Sequence, residues 1–334
     1  MGTTWHDRLL GGVFGHGLAQ NARQGYRVLA ELYEEGDAIF LAGFSRGAYT
    51  ARTLAGFIRN SGLLRPEYLQ APQPEDNPLL MEAYALYRSR NNGPNTQLAR
   101  QFRSQYSREV PIHCIGIWDT VKALGIPLRI MERFNMLAYG FHDDQLSTIV
   151  RHGYHALAID EHRELFKAEL WSPPRGAQVI EQRWFPGAHA DVGGGYRDRC
   201  IADHSYTWIR QCLALCGLQI ADPAPAMCPP SPDAPITDSF SQFHKLTARW
   251  RTRYLRPIPE QDASMVLDPC VHDRLLHNAG YSPRNPGLLS MLQKDSSPSP
   301  ATDSNRNIAS CGHTIPAPHA NPTSTPEYGA QQQP

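Results

Sequence analysis

One stretch limits what this chain can fold into more than any other: Ala38 to Asn60. Ala38-Ile39-Phe40-Leu41-Ala42 is a short unbroken apolar run, the mark of a strand buried on both faces. Gly43-Phe44-Ser45-Arg46-Gly47 follows. A helical pattern then runs from Ala48 to Asn60, with Ala51, Leu54, Ala55 and Ile58 on one face. Strand, G-x-S-x-G and helix together describe a sharp turn that lifts a serine clear of a sheet and strains its backbone. Gly43 and Gly47 are expected to be small because strand and helix pass close together there. The helix N-terminus sets a positive dipole end, with the N–H of Arg46 as one donor, where an oxyanion would form.

The rest of the chain repeats the same kind of element. Pro111 to Trp118 (PIHCIGIW) is a second buried strand and Val179 to Phe185 a third. Helical spacing predicts helices over 21–33, 79–88, 98–106 and 154–166. Buried strands separated by helices imply a mostly parallel sheet flanked by helices, an α/β fold. After Pro286 the composition changes. From Lys294 to Pro334 Ser, Pro, Thr, Asn and Gln dominate and large aliphatics nearly vanish. Such a segment cannot bury enough surface to offset its ordering entropy. The expected division is a catalytic domain over 1–287 and a disordered Ser/Pro/Thr-rich tail over 288–334.

Composition narrows the function. Lys+Arg and Asp+Glu are both 32, a formal net charge of zero, which gives no support for a nucleic-acid partner. No run of 18 apolar residues exists to cross a membrane, and Met1 to Asp7 lacks the apolar stretch of a signal peptide. Synthesis in the cytoplasm is the expectation. Seven cysteines at irregular spacing argue against a disulfide framework. Cys212 and Cys216, four apart in a helical pattern, read as small core residues rather than metal ligands. No metal or organic cofactor is expected.

A nucleophilic serine needs a base, and the base needs an orienter. In folds with this turn the chain order is serine, acid, histidine, each at the C-terminal end of a strand. Asp119 ends the strand PIHCIGIW. His189 follows the third strand in a glycine-rich loop, FPGAHADVGGG. Asp160 is the alternative acid, less favoured because its segment reads as helical. Asp191 is a supporting residue that could hold the His189 loop through backbone N–H groups. Two other stretches read as structural. Gly11 to Gly17 follows no strand, lacks phosphate-loop spacing and reads as a structural loop. Leu124 to Phe141 is a packed apolar insertion rather than a lid.

The strings GDAIFLAGFSRGAYTARTLAGFIRNSGLL, WDTVKALG, HALAIDEHR, FPGAHADVGGGY and VHDRLLHNAGYSPRNP together resemble the domain of unknown function 2235 family. This α/β-hydrolase family includes type VI secretion lipase effectors of the first Tle group, and the resemblance runs from Gly2 to about Pro286. It implies a phospholipase with Ser45 as nucleophile, His189 as base and Asp119 as acid. It also implies phospholipid or another ester as substrate, and secretion-apparatus and immunity proteins as partners. Family members begin with an Asp-Gly-Thr-Trp strand upstream of the Gly2-Thr3 element. The resemblance therefore implies an α/β-hydrolase-like chain truncated at its N-terminus and lacking the first strand or strands. The alternatives are an inactive remnant serving as a binding or toxin module, and a soluble esterase of small esters.

Overall fold

Five parallel strands form the central sheet. The computed structural model describes residues 3–89, 91–121, 144–221, 228, 231–244 and 252–296. The chain divides into a unit of residues 1–299 and one of 300–334; the second lies outside the described residues, as does the Leu124–Phe141 insertion.

Helix α1 (Thr3–Leu32) leads into β1 (Phe40–Phe44) and α2 (Arg46–Ser61). A short antiparallel pair, β2 (Leu63–Leu64) and β3 (Ser107–Arg108), brackets α3 (Pro78–Arg88) and α4 (Gln97–Tyr106). The sheet then continues through β4 (Ile112–Trp118), β5 (Val150–Ala158) and β6 (Val179–Phe185). Next come α5 (His189–Gly193), α6 (Cys200–Leu215) and α7 (Ser239–His244). The final elements are β7 (Met265–Leu267), α8 (Pro269–His277) and α9 (Leu288–Ser296). Strand order is β1-β4-β5-β6-β7, each neighbour parallel. Phe44 pairs with Trp118, Trp118 with Ala156, and Trp184 with both Leu157 and Leu267. Chain segments that leave these strands therefore emerge along one edge, where open α/β sheets place their sites.

Period-two alternation decides which helices cover which face. Ile115 and Ile117 of β4 join Ile39, Leu41 and the α2 residues Leu54, Phe57 and Ile58 in one core layer. Cys114 and the α6 residues Trp208, Ile209 and Leu213 pack on the other side. Between them Gly116 admits α6 closely: a Cβ there would stand 2.9 Å from Ile209. Each fully buried large aliphatic or aromatic side chain in these layers contributes about 1.5–3 kcal/mol. Helix α1 is locked by Tyr26, which stacks on Phe57 at 4.0 Å and donates its hydroxyl to the Gly62 carbonyl at 2.8 Å.

Four expectations change. The glycine-rich stretch 11–17 lies within α1 instead of a loop. The segment 154–166 is not a helix: β5 runs through Ala158, and a 3₁₀ turn covers Glu164–Phe166. Its apolar run fits either element by pattern, and pairing on both sides by β4 and β6 decides for the strand. Residues 288–296 do not belong to a disordered tail. They form α9, whose Leu288 and Met291 bury against Trp184 and Met265. Finally, Cys200 and Cys228 form a disulfide; count and spacing carry no information about which side chains a fold brings together. Among the described residues Cys114, Cys212, Cys216 and Cys270 belong to no disulfide, and Cys212 is core.

Candidate active site

At the end of β1 the chain turns directly into α2, and Ser45 occupies the corner. Its φ of 56° and ψ of −115° lie in a region that costs a non-glycine residue of order 1–3 kcal/mol. Two contacts hold it there. The Ser45 N–H donates to the Trp118 carbonyl at 2.9 Å, and Tyr49 donates back to the Ser45 carbonyl at 3.1 Å. Gly43 makes the turn sterically feasible, since a Cβ there would stand 2.7 Å from the Ala48 nitrogen and overlap the Gly47 carbonyl. Gly47 has a different role from the one expected: a Cβ there would meet nothing within 4 Å.

Ser45 Oγ lies 2.8 Å from His189 Nε2, and His189 Nδ1 lies 2.5 Å from Asp119 Oδ2. These residues leave β1, β6 and β4 at the same edge of the sheet. Asp119 also has positive φ, 38°, and its N–H donates to the Ala156 carbonyl at 2.8 Å. The imidazole sits between Phe44, at 4.6 Å, and Phe166, at 5.0 Å between ring centres. Two apolar walls limit its tilt and leave one edge for the serine and the other for the carboxylate.

Asp119 is fully buried. Burial alone would push its carboxyl up, but Arg256 and His189 overcome this and hold it well below the usual carboxylate range. Arg256 contacts both oxygens, at 2.6 and 3.0 Å, and the Ala158 N–H donates a further bond at 3.1 Å. A buried carboxylate with this many donors stays ionised.

With this geometry in place, comparison with known proteins decides the family. Residues 1–212 match the family described as type VI secretion system phospholipase effector Tle1-like, catalytic domain. The chain belongs to the Tle1-like catalytic domain family. An uncharacterized protein of Saccharomyces cerevisiae, YEL023C, is 33% identical over 176 residues, covering 50% of this chain and 23% of the yeast protein. The chain thus spans about a quarter of the length of the curated relative it matches. Two solved structures are similar. A Tle1 effector bound to the VgrG spike of the type VI secretion system is 20% identical over 55% of this chain and 30% of its own, with a TM-score of 0.28. An uncharacterized protein from Pseudomonas aeruginosa is 16% identical over 57% and 26%, with a TM-score of 0.29.

In this Tle1-like chain the remaining candidates fall into supporting places. Arg46 is the first residue of α2 and is exposed, so its backbone N–H stands at the helix N-terminus beside Ser45. Asp191 makes no bond to the imidazole. Its carboxylate accepts from the Ala188 N–H at 2.9 Å, the Thr237 N–H at 2.9 Å and the Thr237 hydroxyl at 2.7 Å. It therefore pins the start of α5 and the placement of His189. Asp160 lies past the end of β5 and not in a helix. Its side chain accepts from the Gly187 N–H at 2.7 Å and the Tyr281 hydroxyl at 3.0 Å, so it anchors the His189 loop. Burial pushes its carboxyl up.

Three participants lack any sequence signal of their own. Arg256 comes from an irregular segment with no motif. Glu161, fully buried, accepts from the His189 N–H at 3.2 Å and pairs with Arg163 at 2.7 Å. His155 of β5 accepts from the Thr120 N–H at 3.1 Å and so fixes the residue after Asp119. Burial, with Arg52 nearby, pushes this imidazole down to about 3, so it is neutral. Of the three, only Glu161 and His155 sit in a string that carries the family resemblance.

Proposed function

We propose that this chain is a serine ester hydrolase that cleaves phospholipid through an acyl-enzyme on Ser45. The observation that carries the reading is the hydrogen-bonded chain Ser45–His189–Asp119. His189 Nε2 takes the hydroxyl proton as Ser45 Oγ attacks the acyl carbonyl, and Asp119 fixes the Nδ1–H tautomer and offsets the imidazolium charge. The developing oxyanion faces the N-terminus of α2, where the Arg46 N–H donates. Collapse breaks the ester bond, and the leaving alcohol takes the proton from His189. Water then gives a proton to His189 and attacks the acyl-serine. The fatty acid departs and Ser45 recovers its proton. Every proton passes through His189, and no step needs a metal or an organic cofactor.

Phospholipid is favoured over small esters by the family to which the chain belongs. The same family reading proposes delivery into a target cell by type VI secretion, with a component of that apparatus as carrier. Among the described residues no helix is long and apolar enough to cross a membrane. The test pairs a fluorophosphonate probe with phospholipid vesicles and a short-chain ester. One adduct on Ser45, absent in Ser45→Ala, together with fatty-acid release from vesicles, supports the reading. An equal adduct on the alanine variant, or hydrolysis confined to the short-chain ester, overturns it.

A further inference from the structure

A second cluster of reactive side chains lies at the same sheet edge, apart from the serine site. Asp268 ends β7 and caps α8, accepting from the Cys270 N–H at 3.1 Å. His204 reaches it from α6, with Nε2 3.1 Å from Asp268 Oδ1. The other carboxylate oxygen faces Arg183 at 3.3 Å. One donor atom each from His204, Asp268 and Cys270 lie within 4.8 Å of one another. His204 and Cys270 border a small pocket also lined by Cys200, Ile201, Ala234 and Arg274.

Capping accounts for Asp268 and a hydrogen bond for His204, and the Cys270 thiol converges on the same point. Imidazole, carboxylate and thiolate make the borderline-soft donor set that zinc-class ions prefer over calcium or magnesium. Donors around such an ion stand roughly 3.4 Å apart at its bond lengths; His204 and Asp268 are already that close, at 3.1 Å, and the Cys270 thiol lies within 4.8 Å of both. Asp268 is 2% exposed, and Arg183 holds its outer oxygen, the kind of outer partner that orients a metal-binding carboxylate.

We propose that His204, Asp268 and Cys270 bind one zinc-class divalent ion, which ties the start of α6 to the β7–α8 junction. The fourth coordination place is left to water. Metal binding takes the thiol as thiolate and releases its proton to solvent. The tie lies just downstream of the His189 loop, so the ion stabilises that region. The site stands independently of the hydrolase reading. Its ligands come from α6 and from a D-x-C step 64 residues later, a spacing that matches no sequence motif.

The experiment uses the full chain, stripped with a chelator and kept free of reductant so that the Cys200–Cys228 bridge stays closed. Cobalt(II) is titrated while absorption is followed, and zinc content is then measured after reloading. One ion per chain is expected, with tetrahedral cobalt bands and a thiolate charge-transfer band. Zinc should raise the melting temperature. Cys270→Ser should abolish the charge-transfer band and weaken zinc binding at least tenfold. His204→Ala should weaken it similarly, while Cys216→Ser should leave both readouts unchanged. Far-UV circular dichroism on each variant separates loss of the site from loss of the fold. Well under one ion per wild-type chain overturns the proposal, as does a charge-transfer band that survives in folded Cys270→Ser.

Discussion

Arg256 grips both carboxylate oxygens of Asp119, at 2.6 and 3.0 Å, and shares Oδ2 with His189. The pair is buried, with Arg256 1% exposed and Asp119 at zero. Arg256 is otherwise held by backbone, donating to the carbonyls of Ala158 and Phe166. A cation there has two opposed effects. It keeps the acid ionised and aimed at the imidazole, and it draws off part of the negative charge that would stabilise an imidazolium.

Removing that cation should therefore change how activity depends on pH. In the native chain Asp119 stays ionised across the working range, because its carboxyl is held low. In Arg256→Gln the burial that Arg256 opposes is left to act, and the carboxyl rises. Activity should then fall more steeply toward low pH than it does in the native chain, because the acid as well as the base must be unprotonated. The sign for stability follows the same logic. A carboxyl depressed in the folded state stabilises above its ordinary value of 3.8 and loses that contribution as pH falls through the folded value. Breaking one side of a buried pair costs about 3–5 kcal/mol, so Arg256→Lys is the companion variant that keeps the charge. Unchanged pH profiles in both folded variants would remove Arg256 from this role.

The acid itself is tested by two isosteric changes. Asp119→Asn leaves the fold but presents the wrong partner to His189 Nδ1, and turnover should drop by roughly 10⁴. Asp160 only anchors the loop through Gly187 and Tyr281. Asp160→Asn keeps one acceptor oxygen and should lose less than about tenfold. Initial rates on phospholipid vesicles decide the matter, and the reverse order would reassign the acid.

The two glycines of the serine turn should respond oppositely. Gly43→Ala sets a methyl against the Gly47 carbonyl and the Ala48 nitrogen, so either the turn or the fold must give. Gly47 has open space and lies in α2. Gly47→Ala should raise stability by about 0.5–1 kcal/mol through helix propensity. Melting temperatures and fluorophosphonate labelling of the two variants read both effects.

How much of this is legible in the sequence depends on how local the cause is. The β1–α2 unit reads well because strand, turn and helix each leave a pattern within a few residues. Strand β5 does not: HGYHALAI is apolar enough for either a strand or a buried helix, and only pairing with β4 and β6 decides it. The position of Asp160 is misread for the same reason. Ser45, Asp119 and His189 stand at strand ends, which order along the chain can suggest. Arg256 lies 137 residues beyond Asp119 in an irregular segment, and no local pattern marks a side chain whose role is set by distant packing. The helix over residues 288–296 is hidden by the Ser- and Pro-rich composition that follows it.

Acid sensitivity should trace to His155. It is fully buried, accepts from the Thr120 N–H through Nε2, and is held neutral with its value pushed down to about 3. The unfolded chain binds this proton near the ordinary value of 6.5. Between those two values the unfolded state carries more protons than the folded one, so stability falls as pH is lowered. The slope from this one group approaches about 1.4 kcal/mol per pH unit. Above pH 6.5 the contribution is complete and flat. His155→Gln keeps an acceptor near Thr120 but does not titrate, so its stability should vary less between pH 6.5 and 4 than that of the native chain. Denaturant midpoints measured at several pH values on both proteins give the two slopes. Equal slopes would assign the acid sensitivity to other groups and leave His155 as a purely geometric support for the Asp119 turn.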